Sequence, residues 1–320
     1  MSDNDFILNE KSKIYVAGHN GLIGSAFCRR FEKNSYTRVV TASRSELDLT
    51  CKVSTSDFFR EHKPEVVILA AGKVGGIVAN RDFPADFINE NLSIQLNVLN
   101  AAHHNGVKRL IFFGSSCMYP RNSMQPMKED YLFTGHLEST SIAYAMAKYA
   151  GVQMCLALNK QYSNNHFISV IPNSVYGPND NFDLNNSHVL SALIRKFHEA
   201  KEKNELSVTL WGTGMPRREF IYVDDVVDAC VFLLRSNLNN IEFPINIGTG
   251  EDVTIQDLSQ KIGDIMGYDG KTIWDHTKPD GASRKLLDSS QIKKLGWQSK
   301  VSLLNGLNLT IKKYQGMSGF

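Results

Sequence analysis

Lys13-Ile-Tyr-Val-Ala-Gly18-His-Asn-Gly21-Leu-Ile-Gly24 reads as a short apolar strand that runs into a G-x-x-G-x-x-G turn and then into a helix. Glycines in such a turn let the backbone bend sharply and approach a pyrophosphate, which the positive N-terminus of the helix then binds. Because the turn lies at the first strand-to-helix junction, it predicts a dinucleotide-binding domain. The residues expected to line the cofactor here are Gly18, Asn20, Gly21, Leu22, Ile23 and Gly24.

Apolar runs of strand length alternate with helix-length segments through the first half of the chain. The predicted strands cover residues 13–17, 38–42, 66–70, 109–114 and 167–171. The predicted helices between them cover residues 22–33, 54–62, 85–105 and 142–162. This alternation predicts an α/β protein with a Rossmann-type, doubly wound parallel sheet, in which ligands collect at the carboxyl ends of the strands.

The pattern loosens after about Pro172. Residues 173–187 are rich in Asn, Asp, Gly and Pro, which predicts a long loop. The segments predicted after this loop are a helix over 188–203, a strand over 207–211 and helices over 224–235, 255–266 and 303–313. We therefore expect a nucleotide-binding Rossmann domain over residues 1–172, to which later segments can return. A smaller, mixed α/β domain over residues 173–320 would bind the substrate.

The bulk composition excludes several classes of protein. With 35 basic and 33 acidic residues the net charge is +2 and no long basic run occurs, so neither nucleic-acid nor membrane-surface binding is indicated. The polar start is unlike a signal peptide, and the longest apolar runs are too short to span a bilayer. Five scattered cysteines without a C-x-x-C pair predict a reducing, cytoplasmic setting and no metal site.

The residues after the second predicted strand bear on the choice of dinucleotide. They read Thr41-Ala-Ser-Arg44-Ser-Glu-Leu-Asp48. NAD-binding domains place an acid here that bonds the ribose 2′-hydroxyl, whereas the guanidinium of Arg44 suits a 2′-phosphate. The cofactor expected is therefore NADP(H), held in part by Arg44 and Asp48. Glu46 leaves NAD open as the alternative.

Tyr144-Ala-Met-Ala-Lys148 places a phenol and an ammonium four residues apart, hence on one face of a helix. The charge of Lys148 is expected to lower the proton affinity of Tyr144 and make it a usable acid. The fourth predicted strand ends at Gly114-Ser115, so Ser115 can meet Tyr144 across a substrate carbonyl. Ser115, Tyr144 and Lys148 together predict carbonyl reduction.

These features resemble the extended branch of the short-chain dehydrogenase/reductase superfamily over nearly the whole chain. A narrower likeness, to the GDP-L-fucose synthase family, includes Gly114-Ser-Ser-Cys-Met-Tyr-Pro120 and Arg284-Lys-Leu-Leu-Asp288. The other segments that carry it are 17–24, 70–80, 176–182, 186–188, 211–214, 218–220 and 278–281. The family inverts C3 and C5 of a GDP-4-keto-6-deoxy-mannose and then reduces the C4 ketone with NADPH, so the resemblance implies this activity.

Protons beside a ketone are acidic because the carbanion delocalises into an enolate, and inverting such a carbon needs a base on one face and an acid on the other. Cys117 and His188 match the two epimerisation residues of the family. The family's nucleotide-sugar positions correspond to Lys196, Trp211, Arg218 and Asp280. Further cofactor contacts are implied at Ala70, Ala71, Gly72, Lys148, Pro172, Asn173, Ser174 and Val175. A homodimer is implied by resemblance as well.

Two segments depart from the family pattern. Pro172-Asn-Ser-Val-Tyr-Gly177 replaces the usual P-T-N-L-Y-G, and Glu138-Ser-Thr-Ser-Ile-Ala-Tyr144 replaces E-P-T-N-x-x-Y. Both departures leave the identity of the sugar substrate undetermined. The alternatives are a 3,6-dideoxy sugar, as in colitose formation with inversion at C5 only, and a 6-deoxy-heptose.

Other classes of protein fit the sequence less well. The absence of an Asp-Glu pair beside Ser116 argues against a 4,6-dehydratase. Arg44 and the Cys117/His188 pair argue against a UDP-sugar 4-epimerase. A non-catalytic, NADP-sensing Rossmann protein is the alternative from a different class.

Overall fold

A computed structural model describes residues 6–164, 166–184, 186–238, 241–278 and 280–318. The strands are β1 Ile14–Ala17, β2 Val39–Ala42, β3 Val66–Leu69, β4 Arg109–Phe113, β5 Phe167–Pro172, β6 Val175–Tyr176, β7 Ser207–Trp211, β8 Arg217–Arg218, β9 Ile221–Tyr222, β10 Ile245–Ile247, β11 Val253–Thr254, β12 Lys271–Asp275 and β13 Arg284–Lys285. The α-helices are α1 Leu22–Lys33, α2 Lys52–His62, α3 Ile77–Asp82, α4 Pro84–His104, α5 Ile142–Gln161, α6 Val189–Glu202, α7 Val223–Arg235, α8 Ile255–Met266, α9 Ser290–Lys294 and α10 Leu303–Ser318. Short 3-10 helices cover Ser116–Met118, Glu129–Tyr131 and Ser139–Ser141.

The central sheet has six parallel strands in the order β2-β1-β3-β4-β5-β10. It confirms the predicted doubly wound α/β fold. Because the strand order reverses at β1, a crevice opens beyond the carboxyl ends of β1 and β3. The glycine turn that starts after Ala17 lies at this crevice, which is where such sheets bind their ligands.

Both faces of the sheet are covered by helices. Ile14 and Val16 pack with α1 and α7 on one face, and Tyr15 and Ala17 pack with α2, α4 and α5 on the other. All four side chains are almost completely buried. Alternate residues of a strand point to opposite faces, so a strand covered on both sides needs apolar residues throughout. This is why β1 and β3 stand out as unbroken apolar runs.

The second half of the chain contributes to both parts of the molecule. Strand β10 joins the central sheet beside β5, and α7 packs on α1, where Arg30 pairs with Asp228 at 2.8 Å. Helices α6, α8 and α10 surround a separate apolar cluster with β7. The sheet thus takes its last strand from beyond residue 172. Within the described residues, no helix combines the length and the apolar character needed to cross a bilayer.

The prediction of a long loop over residues 173–187, of which residue 185 lies outside the described residues, is wrong at one place. Val175 and Tyr176 form β6, which pairs in parallel with β9. Tyr176 is 1% exposed, and its hydroxyl donates to the carbonyl oxygen of Leu303 at 3.3 Å. Two residues are too few to show a period-two pattern, and the contacts that hold them come from distant parts of the chain.

Candidate active site

The glycine turn forms a tight cradle after β1. Gly18 has φ of +82°, and a Cβ there would lie 2.7 Å from the amide nitrogen of Ala71, at the end of β3. A Cβ on Gly24 would overlap the carbonyl oxygen of Gly18. The Nδ1 atom of His19 is buried and has no hydrogen-bond partner among the described residues. The turn therefore fits a pyrophosphate, with helix α1 starting directly behind it.

The carboxylates near the end of β2 are held in local turns. Glu46 accepts hydrogen bonds from the Ser43 amide and hydroxyl, both at 2.7 Å, and Asp48 accepts from the Thr50 amide at 2.9 Å. The Arg44 side chain is 75% exposed and pairs with Glu90 at 3.2 Å. Arg44 is thus an exposed cation just beyond the carboxyl end of β2.

Arg44→Ala is expected to lower the preference for NADPH over NADH by about tenfold to a hundredfold, because a hydrogen bond to a charged group contributes about 1.5–3 kcal/mol. The ratio of kcat/KM values for the two cofactors measures this. Arg38→Ala is the matched control, since Arg38 is exposed and precedes the same strand. An unchanged ratio in Arg44→Ala would exclude the 2′-phosphate contact.

Two further loops bring the expected cofactor contacts to the same edge of the sheet. A Cβ on Gly72, after β3, would lie 3.8 Å from the Nζ of Lys148 and 2.7 Å from the Oδ1 of Asn91. Asn173, after β5, is fully buried, and its Nδ2 donates to Glu219 at 3.0 Å. Its Oδ1 is buried and has no hydrogen-bond partner among the described residues. The loop after β3 therefore borders Lys148, and the loop after β5 follows the strand next to β4 at the same edge of the sheet.

Ser115, Tyr144 and Lys148 come together at the end of β4. Ser115 begins the short helix Ser116–Met118 and is hydrogen-bonded to the Tyr144 phenol. Lys148 lies one turn further along α5, with its Nζ 5.9 Å from the centre of the Tyr144 ring. The Tyr144 ring also packs edge-on against Phe87, with centroids 6.2 Å apart. A carbonyl oxygen placed between Ser115 and Tyr144 would face two hydroxyl groups.

The electrostatics of Tyr144 differ from the sequence-based expectation. Burial raises the pKa of the Tyr144 phenol, negative charge at Cys117 adds to the rise, and the hydrogen bond with Ser115 opposes it. Lys148 itself is 7% exposed, and burial lowers its pKa to about 8. The expected lowering of the Tyr144 pKa by Lys148 is therefore wrong: desolvation dominates, and a residue spacing does not reveal burial.

Lys148→Met is expected to raise the free energy of unfolding at pH 7 by about 1–3 kcal/mol, because a buried ammonium destabilises the folded state. The folded pKa of about 8 lies below the ordinary 10.5. The buried ammonium of Lys148 therefore lowers the free energy of unfolding by its full amount below pH 8, and this destabilisation disappears as the pH rises to about 10.5. Urea unfolding at pH 7 and pH 10 measures the change, with Lys160→Met on the exposed end of α5 as control. A loss of stability in Lys148→Met at pH 7 would contradict this.

Cys117 lies two residues beyond Ser115, and its amide donates to the Ser115 hydroxyl at 3.2 Å. Its Sγ lies 3.8 Å from the Nζ of Lys285. Burial by itself raises the pKa of the Cys117 thiol. Burial is the largest single cause, but the charge of Lys285 and the hydrogen bonds with Ser115, Ser141 and Lys285 together outweigh it, so the pKa of the Cys117 thiol ends below its ordinary value. Cys117 thus has the character of a base.

His188 is exposed at the N-cap position of α6. The segment before it is docked on the loop after β3, where the Gly76 amide donates to the Asn186 carbonyl oxygen at 3.0 Å. Burial raises the pKa of nearby Asp180, and the charge of His188 opposes the rise. No hydrogen bond joins His188 to Cys117 among the described residues. An acid and a base that act on opposite faces of a sugar have no need to touch, since the sugar lies between them.

The four residues expected to hold the nucleotide-sugar form two pairs: Lys196 contacts Trp211, and Arg218 interacts with Asp280 through charge. The Nζ of Lys196 donates to the Thr209 carbonyl oxygen at 2.9 Å and lies 5.8 Å from the Trp211 ring centre. Trp211 is 56% exposed, which leaves room for a planar ligand. Burial lowers the pKa of Arg218, and the charges of Cys117 and Asp280 oppose this. Arg218 thus connects the second pair to the Cys117 end of the site.

Three residues of this site are not among those predicted from the sequence. They are Lys285, Ser141 and Glu219. Lys285 and Cys117 are 168 positions apart, so their contact leaves no local pattern. Glu219 is fully buried and accepts hydrogen bonds from Asn173 Nδ2 and from the Leu287 and Gly250 amides. A charged residue between Arg218 and Phe220 gives no sign of such burial.

Comparison with known proteins places this site in a family. The family model described as NAD dependent epimerase/dehydratase family matches residues 14–248. GDP-L-fucose synthase 1 of Arabidopsis thaliana is 50% identical over 306 residues, which cover 96% of this chain and 94% of that protein. The chain belongs to the GDP-L-fucose synthase family. The resemblance read from the sequence motifs is thereby confirmed.

The chain is also similar to enzymes that are named for other sugars. GDP-L-colitose synthase of Yersinia pseudotuberculosis is 38% identical over 302 residues, covering 94% of this chain and 97% of that protein. The structure of MlghC, a GDP-mannoheptose C4 reductase from Campylobacter jejuni with NADP bound, superposes with a TM-score of 0.89. It is 39% identical, and the alignment covers 96% of this chain and 99% of that one.

Proposed function

We propose that the protein is an NADPH-dependent epimerase/reductase of a GDP-4-keto-6-deoxy sugar, which inverts C3 and C5 and then reduces C4. The observation that carries this proposal is the position of Cys117. A thiol with a lowered pKa, two residues from the Ser115–Tyr144 hydroxyl pair, provides a base for epimerisation within a reductase site.

Epimerisation begins when the Cys117 thiolate removes a proton from a carbon beside the ketone. The electron pair of the broken C–H bond moves into the enolate, whose oxygen the hydroxyls of Ser115 and Tyr144 stabilise. His188 returns a proton on the opposite face and inverts the carbon. The ketone is re-formed at C4. Once the thiol has released its proton to solvent and His188 has taken one up, the same residues serve the second of the two carbons.

In the reduction, NADPH supplies the hydride that adds to C4 when the cofactor is bound. Tyr144 donates a proton to the C4 oxygen, and Ser115 orients that oxygen. Lys148 would contact the bound cofactor, and its Nζ lies 5.9 Å from the centre of the Tyr144 ring. The sugar stays in place between the two reactions, since the same hydroxyl pair holds the C4 oxygen throughout.

The remaining residues bind and orient the two ligands. The Gly18–Gly24 turn holds the pyrophosphate of NADPH, Arg44 its 2′-phosphate, and residues 70–72 and 172–175 border the rest of the cofactor. Lys196 and Arg218 offer positive charge to the diphosphate of the sugar nucleotide. The exposed Trp211 ring offers a stacking surface, and Asp280 accepts hydroxyl hydrogen bonds.

A homodimer accompanies this function. Leu96 on α4 and Ile142 and Met146 on α5 are each about half exposed, which leaves apolar surface on the two helices for a second copy of the chain. Light scattering of the purified protein would give twice the mass of one chain.

A panel of GDP- and CDP-4-keto sugars tests the proposal. The expected result is steady NADPH oxidation with the GDP-4-keto-6-deoxy hexose and a product inverted at both C3 and C5 by NMR. Preference for a 3,6-dideoxy sugar or a 6-deoxy-heptose would overturn the assigned sugar. No oxidation with any 4-keto sugar nucleotide would favour a non-catalytic NADP-sensing protein.

A further inference from the structure

Lys285 and Cys117 meet although they lie far apart in the sequence. The Nζ of Lys285 is 3.8 Å from the Cys117 Sγ. Both side chains are only partly exposed, so water screens the pair less than it would on an open surface. At this distance an ammonium stabilises a thiolate and leaves a neutral thiol almost unaffected.

The backbone of Lys285 is held from two sides. Strand β13 pairs with β8, which places Lys285 opposite Arg218. The Lys285 carbonyl oxygen accepts from the Glu219 amide at 3.1 Å and from the Asn173 Nδ2 at 3.2 Å. The Glu219 carboxylate in turn accepts from the Leu287 amide at 2.9 Å. The stem of Lys285 is therefore anchored to the cofactor loop after β5.

Other charged groups near the sulfur act less directly. Arg218 interacts with the charges of both Cys117 and Asp280, so its positive charge is divided between two groups. Burial keeps the Tyr144 phenol neutral at pH 7 by raising its pKa. Ser115 and Ser141 contribute hydrogen bonds without charge. Lys285 is the cation in direct contact with the thiol sulfur.

We propose that Lys285 is a positioning residue that holds Cys117 as a thiolate, ready to abstract a proton. The thiolate forms an S–H bond as the substrate C–H bond breaks, and this proton passes to solvent before Cys117 acts on the next carbon. The part of this inference that concerns epimerisation rests on the proposed function, whereas the charge state of Cys117 does not.

The test is the rate at which iodoacetamide alkylates Cys117 as a function of pH. Trypsin cleavage after Arg109 and Arg121 gives a peptide, residues 110–121, in which Cys117 is the only cysteine. Mass spectrometry of this peptide therefore follows Cys117 alone. Lys285→Met is expected to slow alkylation of Cys117 at pH 7 about tenfold, which is the factor given by a rise of one unit in the pKa of the thiol.

Lys285→Arg is expected to keep the alkylation rate within about threefold of the wild-type rate, because a cation remains beside the sulfur. Lys293→Met, on α9, removes a lysine of the same charge that does not face Cys117 and should leave the rate unchanged. In Lys285→Met the pH profile of solvent deuterium exchange into the substrate should also move to higher pH. If Lys285→Met fails to fold, as judged by NADPH binding, the Cys117 alkylation rate is measured in Lys285→Gln instead.

An unchanged alkylation rate in a folded Lys285→Met or Lys285→Gln protein would overturn the inference. A raised KM with an unchanged alkylation rate would assign Lys285 to the sugar-nucleotide phosphates instead. If Lys285→Met slows alkylation while the wild-type protein exchanges no substrate protons, the inference about the thiolate stands and the proposed epimerase function fails.

Discussion

Tyr144→Phe is expected to lower the rate of NADPH oxidation with a 4-keto sugar nucleotide by about 10²- to 10⁴-fold, the usual contribution of a positioned proton donor. The substitution removes the phenolic oxygen that is hydrogen-bonded to Ser115. It keeps the ring that packs against Phe87, so folding should be preserved. The C4 oxygen then has no acid to protonate it as the hydride arrives.

The decrease in NADPH absorbance after addition of the sugar nucleotide measures this effect directly. Tyr149→Phe is the matched control, because Tyr149 lies on the same helix and packs against Phe133 with ring centroids 3.6 Å apart. It should keep turnover close to that of the wild type. Near-normal turnover in Tyr144→Phe would remove Tyr144 from the role of proton donor.

Cys117→Ser is expected to suppress exchange of substrate protons with solvent deuterium by at least about 10²-fold. A serine hydroxyl has the size of the thiol but stays protonated at neutral pH, so the base is lost. Binding of the sugar nucleotide should persist, since Trp211 and Asp280 are untouched. NMR of the sugar recovered from D₂O without NADPH gives the exchange rate.

Cys51→Ser is the control for Cys117→Ser, because Cys51 is exposed and lies at the N-cap position of α2. It should exchange protons at the wild-type rate. His188→Gln should suppress exchange as well, through loss of the acid on the other face. Unchanged deuterium incorporation in both Cys117→Ser and His188→Gln would remove this pair from epimerisation.

Much of the fold follows from local sequence patterns. Strands β1, β3, β4 and β5 are rich in apolar residues because both of their faces are buried, whereas the edge strand β2 is partly exposed. Strand β1 is identified by the glycine turn that follows it. Strands β6 and β10, of two and three residues, are too short to carry a pattern. They exist because β9 and β5 offer them a pairing edge, which only the folded chain provides.

The candidate site likewise combines features that the local sequence predicts with features that only the folded chain provides. Tyr144 and Lys148 belong to one helical turn, so their spacing predicts their proximity. The burial that raises the pKa of Tyr144 and lowers that of Lys148 depends on surrounding elements, and so the expected influence of one on the other was wrong. Lys285 reaches Cys117 through the pairing of β13 with β8. Neither strand is recognisable from the residues alone.

The most direct test of the account is the reaction of the wild-type protein with GDP-4-keto-6-deoxy-mannose and NADPH in D₂O. We predict one NADPH oxidised for each sugar nucleotide reduced, with deuterium from solvent at both C3 and C5 and inversion at both carbons in the NMR spectrum. Reduction at C4 without deuterium at either carbon would contradict the account, because the Cys117 end of the site would then have no part in the reaction.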